Sequence, residues 1–78
     1  MKKVTIYSRT GCHLCEIAID KIRTVKQDIN FEIEIKLIDK DLELEKKYGE
    51  QVPVILIDDQ IHDYWRIDVD RFIKEIKS

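Results

Sequence analysis

The chain has 78 residues, with 14 Lys and Arg against 16 Asp and Glu, for a formal net charge of -2. A chain this short has room for one core and one site, so residues 1–78 are expected to form one domain that buries only roughly 60% of its unfolded surface. Both signs of charge are interspersed, which gives no positive argument for a nucleic-acid or membrane partner. No apolar stretch reaches membrane-spanning length, and the segment after Met1-Lys2-Lys3 is too short and polar for an export signal, so a cytoplasmic location is expected. In a reducing compartment two cysteines three positions apart read as redox chemistry or metal binding, because they are too few for a disulfide scaffold.

Lys3 to Ser8 is a β-branched and aromatic run closed by Arg9-Thr10-Gly11, the pattern of a strand followed by a tight turn. Leu14, Ile17, Ala18, Ile22, Val25 and Ile29 then recur at helical spacing, which predicts a helix beginning at or just after Cys12. Phe31, Ile33, Ile35 and Leu37 alternate with Glu32, Glu34 and Lys36, the period of an edge strand with one buried face. Asp41 is placed to cap a short helix with Leu44 and Tyr48 on one face, and Gly49 is expected to end it in the left-handed conformation. Val54-Ile55-Leu56-Ile57 lacks polar alternation, so it reads as a central strand covered on both faces.

Asp58-Asp59-Gln60 is expected to turn the chain into a strand from Ile61 to Trp65. Val69, Phe72, Ile73 and Ile76 mark a last helix, with Asp68 as its cap and Ile67 stapled onto Phe72. The order is βαβαββα, and the first strand, crossover helix and strand favour a parallel pair. These elements predict an α/β thioredoxin fold, a four-stranded mixed sheet flanked by three helices, with the cysteines where a central strand meets a helix.

Residues three apart at a helix start share one face, close enough for Cys12 and Cys15 to form a reversible disulfide. Free N–H groups and the helix dipole at that end stabilise a thiolate on Cys12, and Arg9 and protonated His13 add positive charge nearby. Cys12 is therefore the expected attacking thiol and Cys15, one turn in, the resolving one. Glu16 and Asp20 share the helix, but nothing in the sequence brings either to Cys15 as an acid or base. A C-x-x-C pair is also half of a zinc site, yet the only histidines are His13, inside the pair, and His62, on a predicted strand. Two alternatives to exchange chemistry stand beside it: an iron-sulfur cluster or metal held between protomers through Cys12, and a redox-sensing adaptor.

Tyr7-Ser8-Arg9-Thr10-Gly11-Cys12-His13-Leu14-Cys15-Glu16, with the later Tyr48-Gly49-Glu50-Gln51-Val52-Pro53-Val54, resembles the glutaredoxin-like family of small thioredoxin-fold proteins. The resemblance implies a thiol-disulfide oxidoreductase with Cys12 and Cys15 catalytic and Arg9, His13, Gln51, Val52, Pro53 and Trp65 around the substrate. It also implies a cis Val52-Pro53 bond facing the cysteines, whose preceding residue pairs with an extended substrate. The implied partners are a protein or small-molecule disulfide as substrate and glutathione or a thioredoxin-type reductase as electron donor, with no obligatory cofactor and no metal. The chain departs from the family pattern at His13-Leu14, at Gln51, and at Tyr64-Trp65-Arg66-Ile67-Asp68, which stands where glutaredoxins carry a glycine pair. That pair makes room for glutathione, so Trp65 is expected at the rim of a reshaped site, with Arg9, Gln51, Val52 and Asp68 as the remaining contacts.

Overall fold

The computed structural model describes residues 1–39 and 41–78. Its elements are β1 (Lys3–Ser8), α1 (His13–Lys26), β2 (Glu32–Leu37), α2 (Leu42–Tyr48), β3 (Val54–Ile57), β4 (Gln60–Tyr64) and α3 (Val69–Lys77). The sheet order is β2-β1-β3-β4, with β1 parallel to β2 and antiparallel to β3, and β3 antiparallel to β4. This is the thioredoxin fold expected from the element order.

Strand alternation divides the apolar residues between two layers. Val4 and Ile6 of β1 and Ile55 and Ile57 of β3 turn to one face, where they meet Ala18, Ile22 and Val25 of α1 and Phe72 and Ile76 of α3. Val54 and Leu56 turn to the other face and pack with Tyr48, Val52, Ile38 and Cys15. The four residues of β3 are all buried, as a central strand requires. Ile67 and Phe72 are both buried in the first layer, and the Asp68 carboxylate accepts the Arg71 N–H at 3.2 Å, so the expected staple and cap of α3 are both present. Asp41 caps α2 by accepting from the N–H groups of Glu43 and Leu44.

Several expectations are corrected. Gly49 ends α2 with a right-handed backbone, φ -45° and ψ -41°; glycine is needed there because a Cβ would press on the Glu45 carbonyl oxygen. The last strand covers Gln60–Tyr64 rather than Ile61 to Trp65. A two-residue turn at Asp58 and Asp59, both at positive φ, pairs Ile57 with Gln60, and Trp65 falls beyond the strand at φ 65°. The helical stripe is narrower than its periodicity, because Cys15 takes the inward position at the start of α1 and leaves Leu14 52% and Ile17 39% exposed. On β2 the predicted buried face holds only in part: on this edge strand Ile33 packs against the α1/α3 cluster, while Ile35 and Leu37 are exposed.

Candidate active site

Cys12 is the N-cap of α1, with an extended backbone (φ -83°, ψ 106°), and its sulfur accepts the Cys15 N–H at 3.2 Å. Gly11 makes the turn before it at φ 77°, a backbone region that L side chains rarely adopt, and the Cys12 N–H donates to the Arg9 carbonyl. Cys12 and Cys15 are joined as a disulfide with their Cα atoms 5.2 Å apart. Their surroundings differ. Cys12 is half-buried beside an open cleft, whereas Cys15 is 1% exposed and sealed among Ile38, Tyr48 and Val52.

The cleft has a volume of about 470 Å³, walled by Arg9, Thr10, Gly11 and Cys12 on one side and by Gly49, Glu50 and Val52 on the other. Arg9 spans the two walls, its Nη1 donating to the Gly49 carbonyl at 2.9 Å. The Thr10 N–H donates to the Asp39 carboxylate at 2.9 Å, which ties the cysteine turn to the chain just after β2. Behind the cleft the rings of Tyr7 and Tyr48 stack with centroids 4.9 Å apart, and Lys47 Nζ lies 5.2 Å from the Tyr48 ring centre.

Among the residues expected around substrate, Arg9 and Val52 line the Cys12 cleft, and the Val52–Pro53 bond is cis with Pro53 buried beneath the cleft wall. His13 is different: its side chain is 82% exposed and points to Glu16, with its Nδ1 3.8 Å from a Glu16 carboxylate oxygen. The same geometry keeps Glu16 on the outer side of α1, away from buried Cys15. Gln51 and Trp65 line an adjacent cavity of about 440 Å³, which shares Gly49 and Glu50 with the Cys12 cleft. Trp65 is therefore not in the wall beside Cys12. It fastens the loop that forms that wall: its indole donates to the Glu50 carbonyl at 2.8 Å, and its backbone N–H donates to Gln51 and Pro53 carbonyls at 3.2 and 2.9 Å. Asp68 is occupied as the α3 cap.

Three contributors escaped the sequence reading: the Gly49 carbonyl that receives Arg9, the Asp39 carboxylate that holds Thr10, and the Tyr7–Tyr48 stack. Only Asp39 left a usable signal, since the parallel register of β1 and β2 brings the residues after both strands to one end of the sheet. Among the described residues no group of three or more His, Cys, Asp and Glu side chains is arranged to hold a metal ion. No helix among them is long and apolar enough to cross a membrane.

Comparison with known proteins agrees with this geometry. The family model of the Glutaredoxin-like domain (DUF836) matches residues 3–77. The chain is similar to protein Rv0508 of Mycobacterium tuberculosis, 26% identical over 81 residues that span 95% of this chain and 81% of that one. Among solved structures it is similar to protein Ne2328 of Nitrosomonas europaea, with a TM-score of 0.83, 32% identity and coverage of 95% and 89%. Protein XcR50 of X. campestris gives a TM-score of 0.77, 29% identity and 95% coverage of each chain. A thioredoxin from Halobacterium salinarum superimposes with a TM-score of 0.64 at 18% identity, over 97% of this chain and 72% of that one, and so shares the fold.

Proposed function

The chain belongs to the glutaredoxin-like domain family (DUF836), and from that premise we propose that it is a dithiol-disulfide exchange enzyme with Cys12 as nucleophile and Cys15 as resolving thiol. The observation that carries this reading is the asymmetry of the pair: one sulfur opens to a cleft at a helix N-terminus and the other is sealed behind it. In the reduced protein the N–H of Cys15 and the dipole of α1 favour the thiolate of Cys12 over its thiol.

The Cys12 thiolate attacks one sulfur of the substrate disulfide; that S–S bond breaks, and the departing thiolate takes a proton from water. The Cys15 thiolate, its proton lost to water, then attacks Cys12 Sγ. The mixed disulfide breaks, the second substrate sulfur leaves as a thiol, and the Cys12–Cys15 disulfide closes. Substrate gains two electrons and two protons in total, and a thiol donor, glutathione or the dithiol of a reductase, returns them to the enzyme. Val52, buried in the cleft wall ahead of Pro53, is positioned to offer backbone groups to an extended substrate, and Arg9 to hold the cleft walls together.

Equilibration of the pure protein across glutathione redox buffers, with free thiols counted by alkylation and mass, tests the reading. A reversible two-electron transition between roughly -180 and -270 mV is expected, the range of known dithiol oxidoreductases. In Cys15→Ser the mixed disulfide with a substrate thiol is expected to accumulate on Cys12. A pair that does not titrate, or a variant that captures nothing, overturns the assignment.

A further inference from the structure

β2 closes one side of the sheet, and among the described residues its outer edge has no neighbouring strand. The N–H groups of Glu32 and Ile38 donate inward, to the Lys2 and Ser8 carbonyls, each at 2.9 Å. Because successive residues of a strand turn their backbone groups to opposite sides, the N–H and C=O of Ile33, Ile35 and Leu37 point out from the open edge. The side chains of these three residues lie on the α1 face, in register with Val4, Ile6 and Ser8. There Ile35 is 38% and Leu37 57% exposed, and Leu14 and Ile17 of the helix covering that face are exposed too. On the opposite face of the strand stand Glu34 and Lys36, 3.3 Å apart, with the second Glu34 carboxylate oxygen 2.7 Å from Lys3 Nζ on β1.

An open edge with apolar side chains on one face is a template for another strand. The charges on the other face decide which strand fits. If a second copy of β2 runs antiparallel with its two-fold axis at Ile35, Ile35 faces its own counterpart, Ile33 faces Leu37, and all of these residues present outward backbone groups, so the ladder closes. In that register Glu34 of each copy stands opposite Lys36 of the other, an opposite-charge cross-strand pair made twice. Moving the axis to Glu34 puts two carboxylates opposite each other, and moving it to Lys36 puts two ammonium groups opposite each other. Of these three registers, the charge order favours the one centred on Ile35.

We propose that this protein self-associates through β2, antiparallel about Ile35, to form one continuous sheet across two copies. The seam buries only one strand edge and its flanking side chains, which places it among weak, concentration-dependent interfaces. The antiparallel arrangement carries the Cys12 ends of the two sheets to opposite ends of the pair, so both clefts stay open.

Sedimentation equilibrium of the full chain, over a concentration series reaching the millimolar range, should show a monomer–dimer equilibrium. Glu34→Lys and Lys36→Glu should each weaken it at least tenfold, with the far-ultraviolet circular dichroism and the redox midpoint of the cysteines unchanged. An equimolar mixture of the two variants should restore association, because each reversed charge then meets its opposite across the seam. A chain that stays monomeric throughout overturns the proposal. So does self-association that neither variant weakens, a mixture that stays monomeric, or association only with an unrelated extended peptide. The mass measurement does not depend on exchange activity, so failure here and failure of the enzyme reading are separate results.

Discussion

On the α1/α3 side of the sheet the buried residues are aliphatic and aromatic side chains carried by the regular elements and their immediate flanks: Val4, Ile6, Ile55, Ile57, Ile22, Phe31, Phe72 and Ile76. On the α2 side the layer is smaller and mixed, with Cys15, Tyr48 and Val52 beside Val54 and Leu56 and the half-buried Cys12 and Tyr7 at its margin. The first layer is made of interlocked hydrocarbon whose removal leaves cavities. The second is closed by a short helix and by the loop of residues 49–53, which Trp65 and Arg9 hold through hydrogen bonds to its carbonyls. The difference teaches where packing and access reside: the sheet and two long helices form a scaffold, and the accessible sulfur of the pair, that of Cys12, stands where that scaffold borders a loop-built cleft.

Replacing Cys12 with Ser is the sharpest test of that division and the largest expected effect. Disulfide exchange should fall to the uncatalysed background, while thermal unfolding of the reduced protein should match that of the reduced parent. A large loss of reduced-state stability would erase the distinction between the two layers. On the other side, Phe72→Ala removes a fully buried ring that meets Phe31 edge-on at 5.6 Å. Denaturant titration should show a loss of about 3–5 kcal/mol, with the redox midpoint of the folded fraction unmoved.

A smaller effect tests the mixed layer itself. Tyr7→Leu keeps apolar bulk next to Cys15's cluster but removes the stack on Tyr48. Stability should fall by about 0.5–1.5 kcal/mol beyond the change in buried area, and the redox midpoint should shift because the packing behind the disulfide changes. A stability loss with an unmoved midpoint would assign the stack to the scaffold.

The smallest effect is a pH dependence on the scaffold side. His62 sits edge-on to Phe72, and its pKa is lowered from 6.5, first by burial and then by the nearby Arg71 guanidinium. The unfolded chain therefore takes up the proton first. The stability contributed by neutral His62 is present above pH 6.5 and is lost as the pH falls through the lower folded-state value. Melting curves followed downward from neutral pH should show this slope, and His62→Gln should flatten it without moving the exchange rate at neutral pH. An unchanged slope would place the acid sensitivity among the carboxylates.

Much of this protein was legible in its residues because the determinants are local. Gly11-Cys12 with Cys15 one turn on marks the start of a helix and a pair that can bridge, and the unbroken apolar run Val54 to Ile57 marks a central strand. Asp41, Asp68 and the Ile67–Phe72 staple work within a turn of where they stand, so their pattern is readable without the fold. Family resemblance added the cis Val52–Pro53 bond, which no short-range pattern contains.

What only the tertiary structure decided are contacts between segments far apart in the chain. Apolar alternation says that Ile35 and Leu37 share a face with Ile33, but the place of β2 at the sheet edge, where only Ile33 packs against the α1/α3 cluster, leaves them exposed. Gly49 is a glycine because the Glu45 carbonyl approaches it closely, a crowding that a helix-end rule misreads as a left-handed turn. Trp65 is aromatic in sequence, yet its position at φ 65° follows from three carbonyls of the 50–53 loop that accept its two N–H groups. Composition and periodicity determine which residues need burial and where elements start and stop. Which surfaces remain open and which carbonyls remain to be satisfied depend on how the elements pack, and the cleft beside Cys12 is built from those remainders.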